Sequence, residues 1–104
     1  MDEDDDNGLQ EPLSPTVAKA LIRQILENGD VVYTRHALEE MAKDPLGAIS
    51  KIDVVNVLRG GVVGAAEMRI GTYRYPVSTR RFCVVVAFRA STVVVIVTSW
   101  REKP

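Results

Sequence analysis

At Gly60-Gly61 the apolar pattern of this chain changes period, and neither an all-helical nor an all-strand fold accommodates both halves. Before that point apolar residues recur at three- and four-residue spacing, which places them along one face of a helix. After it come runs rich in Val, Ile, Thr and aromatics, the composition of strands. Helices first and strands afterwards is the order of an α+β domain, with the helices packed on one face of a sheet.

Ser14-Pro15 reads as a helix start, with Ser14 as cap and Pro15 at the first helical position, where a missing N–H costs nothing. Val17, Leu21, Ile22, Ile25 and Leu26 form its apolar stripe, and Asn28-Gly29 stops it. Residues 30–33 are a short extended piece. Thr34 can cap a second helix carrying Ala37, Leu38 and Met41, with Tyr33 and Leu38 placed as a hydrophobic staple, before Asp44-Pro45 ends it. Ser50-Lys51-Ile52-Asp53 has capping-box spacing and opens a third helix with Ile52, Val55 and Leu58 as its buried stripe. Gly60-Gly61 supplies a left-handed exit.

Strands are expected at 62–63, 68–70, 72–77, 81–88 and 92–100. Short connections at Ser78-Thr79-Arg80 and Ala90-Ser91 make the last three an antiparallel meander, with 84–86 and 93–97 at the sheet centre. The expectation is two to three N-terminal helices on one face of a C-terminal antiparallel β-sheet, the other face partly open. At 104 residues, 46% of them hydrophobic, the chain suffices for one such domain over 13–104.

Charge divides the chain unevenly. Asp2, Glu3, Asp4, Asp5, Asp6 and Glu11 are six of the fourteen acids, and the segment 1–12 reads as a disordered acidic tail that either solvates or folds back over a basic body. From Arg69 onward there are seven basic residues against Glu102 alone. A basic body favours a phosphate-bearing or acidic partner. Cys83 is the only cysteine, which excludes an internal disulfide and a multi-thiolate metal site and fits a reducing cytoplasm. With no signal-peptide pattern and no span-length apolar run, a soluble cytoplasmic protein without membrane contact is expected.

No phosphate-binding loop, dinucleotide fingerprint, His-rich metal spacing or nucleophile elbow occurs, so neither metal nor cofactor is expected. What remains is Arg35, His36, Tyr73, Arg74, Tyr75, Arg80, Arg81, Trp100 and Arg101. Tyr73 and Tyr75 share one strand face and Arg74 takes the other; Ser99 and Arg101 share a face and Trp100 opposes them. These residue types suit metal-independent RNA cleavage. There the ribose 2′-OH is the nucleophile, and the protein orients it, relays its proton and stabilises the phosphorane with Arg. Each also has a plain structural reading: tyrosines pack in strands, His36 can serve a helix start, and Trp100 closes an apolar strand and is expected to pack.

The segments that punctuate this order resemble the MqsR group and related RelE-like toxins of bacterial toxin–antitoxin systems. They are the Glu-Asn-Gly-Asp-Val-Val-Tyr-Thr-Arg-His-Ala run over 27–37, Asp53-Val54-Val55-Asn56-Val57-Leu58-Arg59-Gly60, Thr72-Tyr73-Arg74 and the closing Thr98-Ser99-Trp100-Arg101-Glu102-Lys103. The Arg35-His36-Ala37 start also resembles an uncharacterised RelE-like family. The resemblance implies an endoribonuclease (mRNA interferase) toxin, a cognate antitoxin protein as partner, and RNA as substrate, including RNA on the ribosome. It carries Tyr73 and Arg101 over as catalytic, with His36 as an optional acid–base and Arg35, Arg74, Arg80 and Arg81 as RNA-binding. Arg101 stands where MqsR-like chains have lysine, which keeps the charge and removes a titratable acid. The rival expectation is a non-catalytic module that binds an acidic protein or RNA on the same fold.

Overall fold

The computed structural model describes residues 9–102. Helix α1 (Pro15–Asn28) starts where its cap requires, with the Ser14 hydroxyl accepting the Val17 N–H at 3.2 Å and Pro15 in the first turn. In α2 (Arg35–Ala42) the Thr34 hydroxyl accepts the Ala37 N–H at 3.0 Å. The capping box of α3 (Lys51–Gly60) is complete: Ser50 Oγ accepts the Asp53 N–H at 3.0 Å, and the Asp53 carboxylate accepts the Ser50 N–H at 2.9 Å.

The buried stripes match the expected ones in part: Ile22, Ile25 and Leu58 are buried and Leu21 and Leu26 pack partly on the core as expected, whereas Val17 and Ile52 do not. In α1 the buried residues are Ala18, Ile22 and Ile25, whereas Val17 is 52% exposed; in α3 they are Val54, Val57 and Leu58, whereas Ile52 is 73% exposed. Leu38 of α2 is likewise exposed beside buried Ala37 and Met41. A one-residue choice turns a helix by about 100°. In α1 and α2 the buried residues include an alanine, Ala18 and Ala37.

The strands are β1 (Asp30–Tyr33), β2 (Val62–Val63), β3 (Glu67–Arg69), β4 (Thr72–Ser78), β5 (Phe82–Ala90) and β6 (Val93–Arg101). Their order is β1-β6-β5-β4-β2, with β3 paired to the start of β4. β4, β5 and β6 form the expected antiparallel meander with the valine runs at its centre. The exception to the antiparallel pattern is β1, which runs parallel to β6 at the edge. The strand expected through Ile70 stops at Arg69, because Ile70 and Gly71 take φ of 51° and 76° and form the two-residue hairpin turn.

The helices cover one face and bury Tyr75, Val77, Val84, Val86, Val94 and Ile96 against it. Gly61 leaves α3 in an extended conformation rather than the expected left-handed one. Glycine is needed there for closeness: a Cβ would lie 2.6 Å from the Val57 carbonyl oxygen and 2.9 Å from that of Ser78. Of the segment read as a tail, residues 1–8 lie outside the described residues. Leu9 packs on the core, and the fully buried Tyr75 donates its hydroxyl to the Glu11 carboxylate at 2.8 Å while accepting the Leu13 N–H at 2.9 Å. A buried hydroxyl needs such partners, and this one draws residues 9–13 onto the body. Among the described residues no helix is long and apolar enough to cross a membrane.

Candidate nucleic-acid interface

A one-residue irregularity in β6 decides what the open face of the sheet presents. Val85 pairs with Thr98 and Val86 with Ile96, so Val97 has no partner on β5 and forms a bulge. The Thr34 hydroxyl donates to the Val97 carbonyl at 3.1 Å, and the Thr34 N–H donates to that of Ile96 at 3.1 Å, fixing the bulge to the start of α2. Strict alternation from the buried residues Val94 and Ile96 would carry Thr98 and Trp100 toward the helices. The bulge reverses this. Ser99 is buried at 2% exposure, Arg101 faces the helix side, and Trp100 is 42% exposed on the open face.

There Trp100 forms one end of a groove of about 330 Å³ lined also by Thr98, Cys83, Val85, Pro76, Arg74, Arg69 and Glu67. The groove crosses from β6 to β3, three interstrand steps or about 14 Å. Its floor is apolar, and its two ends differ: an indole at one, two guanidinium groups and a carboxylate at the other. Arg74 Nε is buried without a hydrogen-bond partner. Burial pushes the Cys83 thiol up from its usual range, and the nearby Glu102 charge adds to this, so the groove's cysteine is a poor nucleophile at neutral pH.

β3 and β4 place the polar end. Glu67 pairs directly with Arg74 across the two strands, and Arg69 lies two residues along from Glu67, so all three share the open face. Pro76 is accommodated because the chain bulges beside it: its carbonyl accepts the Gly64 N–H at 2.8 Å, and its missing N–H falls on that irregular edge.

The residues carried over by resemblance do not assemble into one site. Tyr73 lies at the start of β4 on the helix side, packed against the core, while Arg101 lies at the end of β6. Arg101 pairs with Phe82, and Tyr75 with Val86, so Tyr73 and Arg101 stand about six residues of β5 apart, roughly 20 Å at the rise of a strand. Alternation also parts Tyr73 from Arg74, which alone of the pair reaches the groove.

Arg101 is engaged in structure. Its Nε lies 3.2 Å from Asp44 Oδ1 in an ion pair, an Nη donates to the Gly47 carbonyl at 3.1 Å, and its guanidinium carbon sits 5.1 Å from the centre of the Phe82 ring. Exposed Arg80 and Arg81, in the β4–β5 turn, join it around a shallow hollow with Leu46 and Glu102. His36 and Arg35 are exposed at the start of α2, where Arg35 Nε pairs with Glu39 at 3.6 Å. Asp44, the residue that reaches Arg101, lies eight positions beyond His36, past the far end of α2. Glu67 and Arg69 were missed by sequence reasoning. Their signal is the two-residue turn at Ile70-Gly71, which sets the hairpin register and brings Glu67 opposite Arg74.

Comparison with protein-family models, with curated proteins and with solved structures returns no match.

Proposed function

We propose that this protein acts on single-stranded RNA as a RelE-like toxin does, with the RNA laid across the open sheet face. The observation that carries this reading is the groove whose exposed Trp100 stands across an apolar floor from Arg69 and Arg74. Stacking on an indole needs only a base with a free face, which single strands offer and duplexes do not. The two arginines supply forked, permanently charged contacts for phosphate. The activity such a face would host is metal-independent cleavage by the ribose 2′-OH, and a cognate antitoxin would silence it by covering the groove.

The second reading is a non-catalytic module that binds RNA or an acidic protein there. It is supported by the distance between Tyr73 and Arg101, which lie about six residues of β5 apart. Fluorescence titration of the protein with labelled single-stranded RNA, duplex RNA and an acidic peptide separates these. Tighter binding of the single strand, with indole quenching and a log–log salt slope of about −1.4 for two phosphate contacts, supports the RNA reading. Preference for the peptide overturns it.

A further inference from the structure

Among the described residues, Glu67 is the only carboxylate lining the open-face groove. It is exposed, and among the described residues it takes part in no ion pair or side-chain hydrogen bond. Register puts it directly opposite Arg74 and two residues from Arg69 on one sheet face, with Cβ atoms of the opposed pair about 5 Å apart. A phosphate held by the two arginines therefore has a carboxylate beside it. For binding alone such a charge is unfavourable, since it repels the phosphate the arginines attract. For cleavage it is the group the chemistry lacks elsewhere in the groove: Cys83 resists ionisation, Thr98 is a neutral hydroxyl, and Tyr73 is on the opposite face.

We propose that Glu67 is the general base of RNA cleavage in this groove, an inference that rests on the RNA reading above. Its carboxylate takes the proton of the ribose 2′-OH, and the freed oxygen forms a bond to the adjacent phosphorus. The bond from phosphorus to the 5′-oxygen breaks, and that oxygen takes a proton from solvent. The products are a 2′,3′-cyclic phosphate and a 5′-hydroxyl; Glu67 returns its proton to solvent, and no water or oxidant is consumed. Arg69 and Arg74 stabilise the extra charge on the pentavalent phosphorus.

The test uses the whole chain and an end-labelled single-stranded RNA, with binding and cleavage measured separately for wild type, Glu67→Gln and Glu67→Asp. Glu67→Gln is expected to fold normally by circular dichroism and to bind RNA at least as tightly, since it removes a repulsive charge. Its cleavage should fall by about 10² to 10⁴-fold, with partial retention in Glu67→Asp. Wild-type fragments should carry cyclic-phosphate ends, and those ends should be lost with the cleavage in Glu67→Gln. Cleavage by Glu67→Gln at the wild-type rate overturns the role of Glu67 and leaves the RNA reading standing. Binding without any wild-type cleavage also overturns it and supports the non-catalytic module, whereas failure of the wild type to bind RNA removes both readings.

Discussion

The Thr34 hydroxyl donates to the carbonyl of Val97, the bulged residue of β6, at 3.1 Å while it accepts the N–H of Ala37 at 3.0 Å. One side chain thus caps a helix and holds the irregularity that turns Trp100 outward. Thr34→Val removes both bonds without loss of volume and should destabilise the fold by about 1–2 kcal/mol. Thr34→Ser should restore most of this. Urea unfolding of the three proteins gives the comparison, and equal midpoints for wild type and Thr34→Val would show that the cap contributes nothing.

Adjacent glycines at the end of α3 should respond oppositely to one methyl group. Gly60→Ala meets nothing within 4 Å in a helical position and should stabilise by about 0.4–1 kcal/mol through the unfolded chain. Gly61→Ala would place its Cβ 2.6 Å from the Val57 oxygen, both in backbone-fixed positions, and should destabilise by more than 1 kcal/mol. Thermal melts of the two variants would contradict this packing if they shifted in the same direction.

Burial, with a smaller contribution from the Glu11 carboxylate and an opposing one from the Leu13 N–H, pushes the Tyr75 hydroxyl up to about 12. In the unfolded chain a tyrosine ionises near pH 10. Because the folded value is the higher, the neutral hydroxyl's contribution is complete below about pH 10 and is lost as pH rises from there toward 12. Wild type should therefore lose stability over that window more steeply than Tyr75→Phe, which has no phenol to titrate at this position. Parallel denaturant midpoints across the window would contradict the burial of this group.

Arg101 should matter for stability rather than for RNA. Its Nε stands 3.2 Å from an Asp44 side chain that is only 9% exposed, so Arg101→Ala removes that carboxylate's ion pair and leaves it the Leu46 N–H at 3.0 Å. A cost of about 2 kcal/mol is expected, with RNA affinity unchanged. A stable Arg101→Ala protein that no longer binds RNA would return the site to the far end of the sheet.

The architecture was legible in the sequence because its signals are local. Ser14-Pro15, Thr34 and the Ser50–Asp53 box are satisfied within four residues, and the change of period at Gly60-Gly61 needs no tertiary information. The burial of Ile22, Ile25 and Leu58 was legible, but the exchange of Val17 for Ala18 and of Ile52 for Val54 was not, since both members of each pair are apolar and tertiary packing chooses between them. The parallel pairing of β1 with β6 is equally non-local.

For the candidate site, alternation placed Arg74 opposite Tyr73 and Trp100 opposite Arg101, and both relationships hold. Trp100, expected to pack, instead lies 42% exposed in the groove, because the Val97 bulge depends on a partner strand and a helix cap far away in sequence. Residues 98–103 resemble a family pattern as a string, but the string does not state how far Arg101 lies from Tyr73. Only the β4–β5–β6 register supplies that distance.

The most direct measurement is the affinity of Trp100→Ala for single-stranded RNA, beside Tyr73→Phe and wild type, each confirmed folded. Loss of one stacked base should weaken Trp100→Ala by about 1–3 kcal/mol, or roughly 5- to 150-fold, while Tyr73→Phe binds as wild type does. Unchanged affinity in Trp100→Ala together with a large loss in Tyr73→Phe would contradict binding on the open face and place the RNA on the helix side of the sheet.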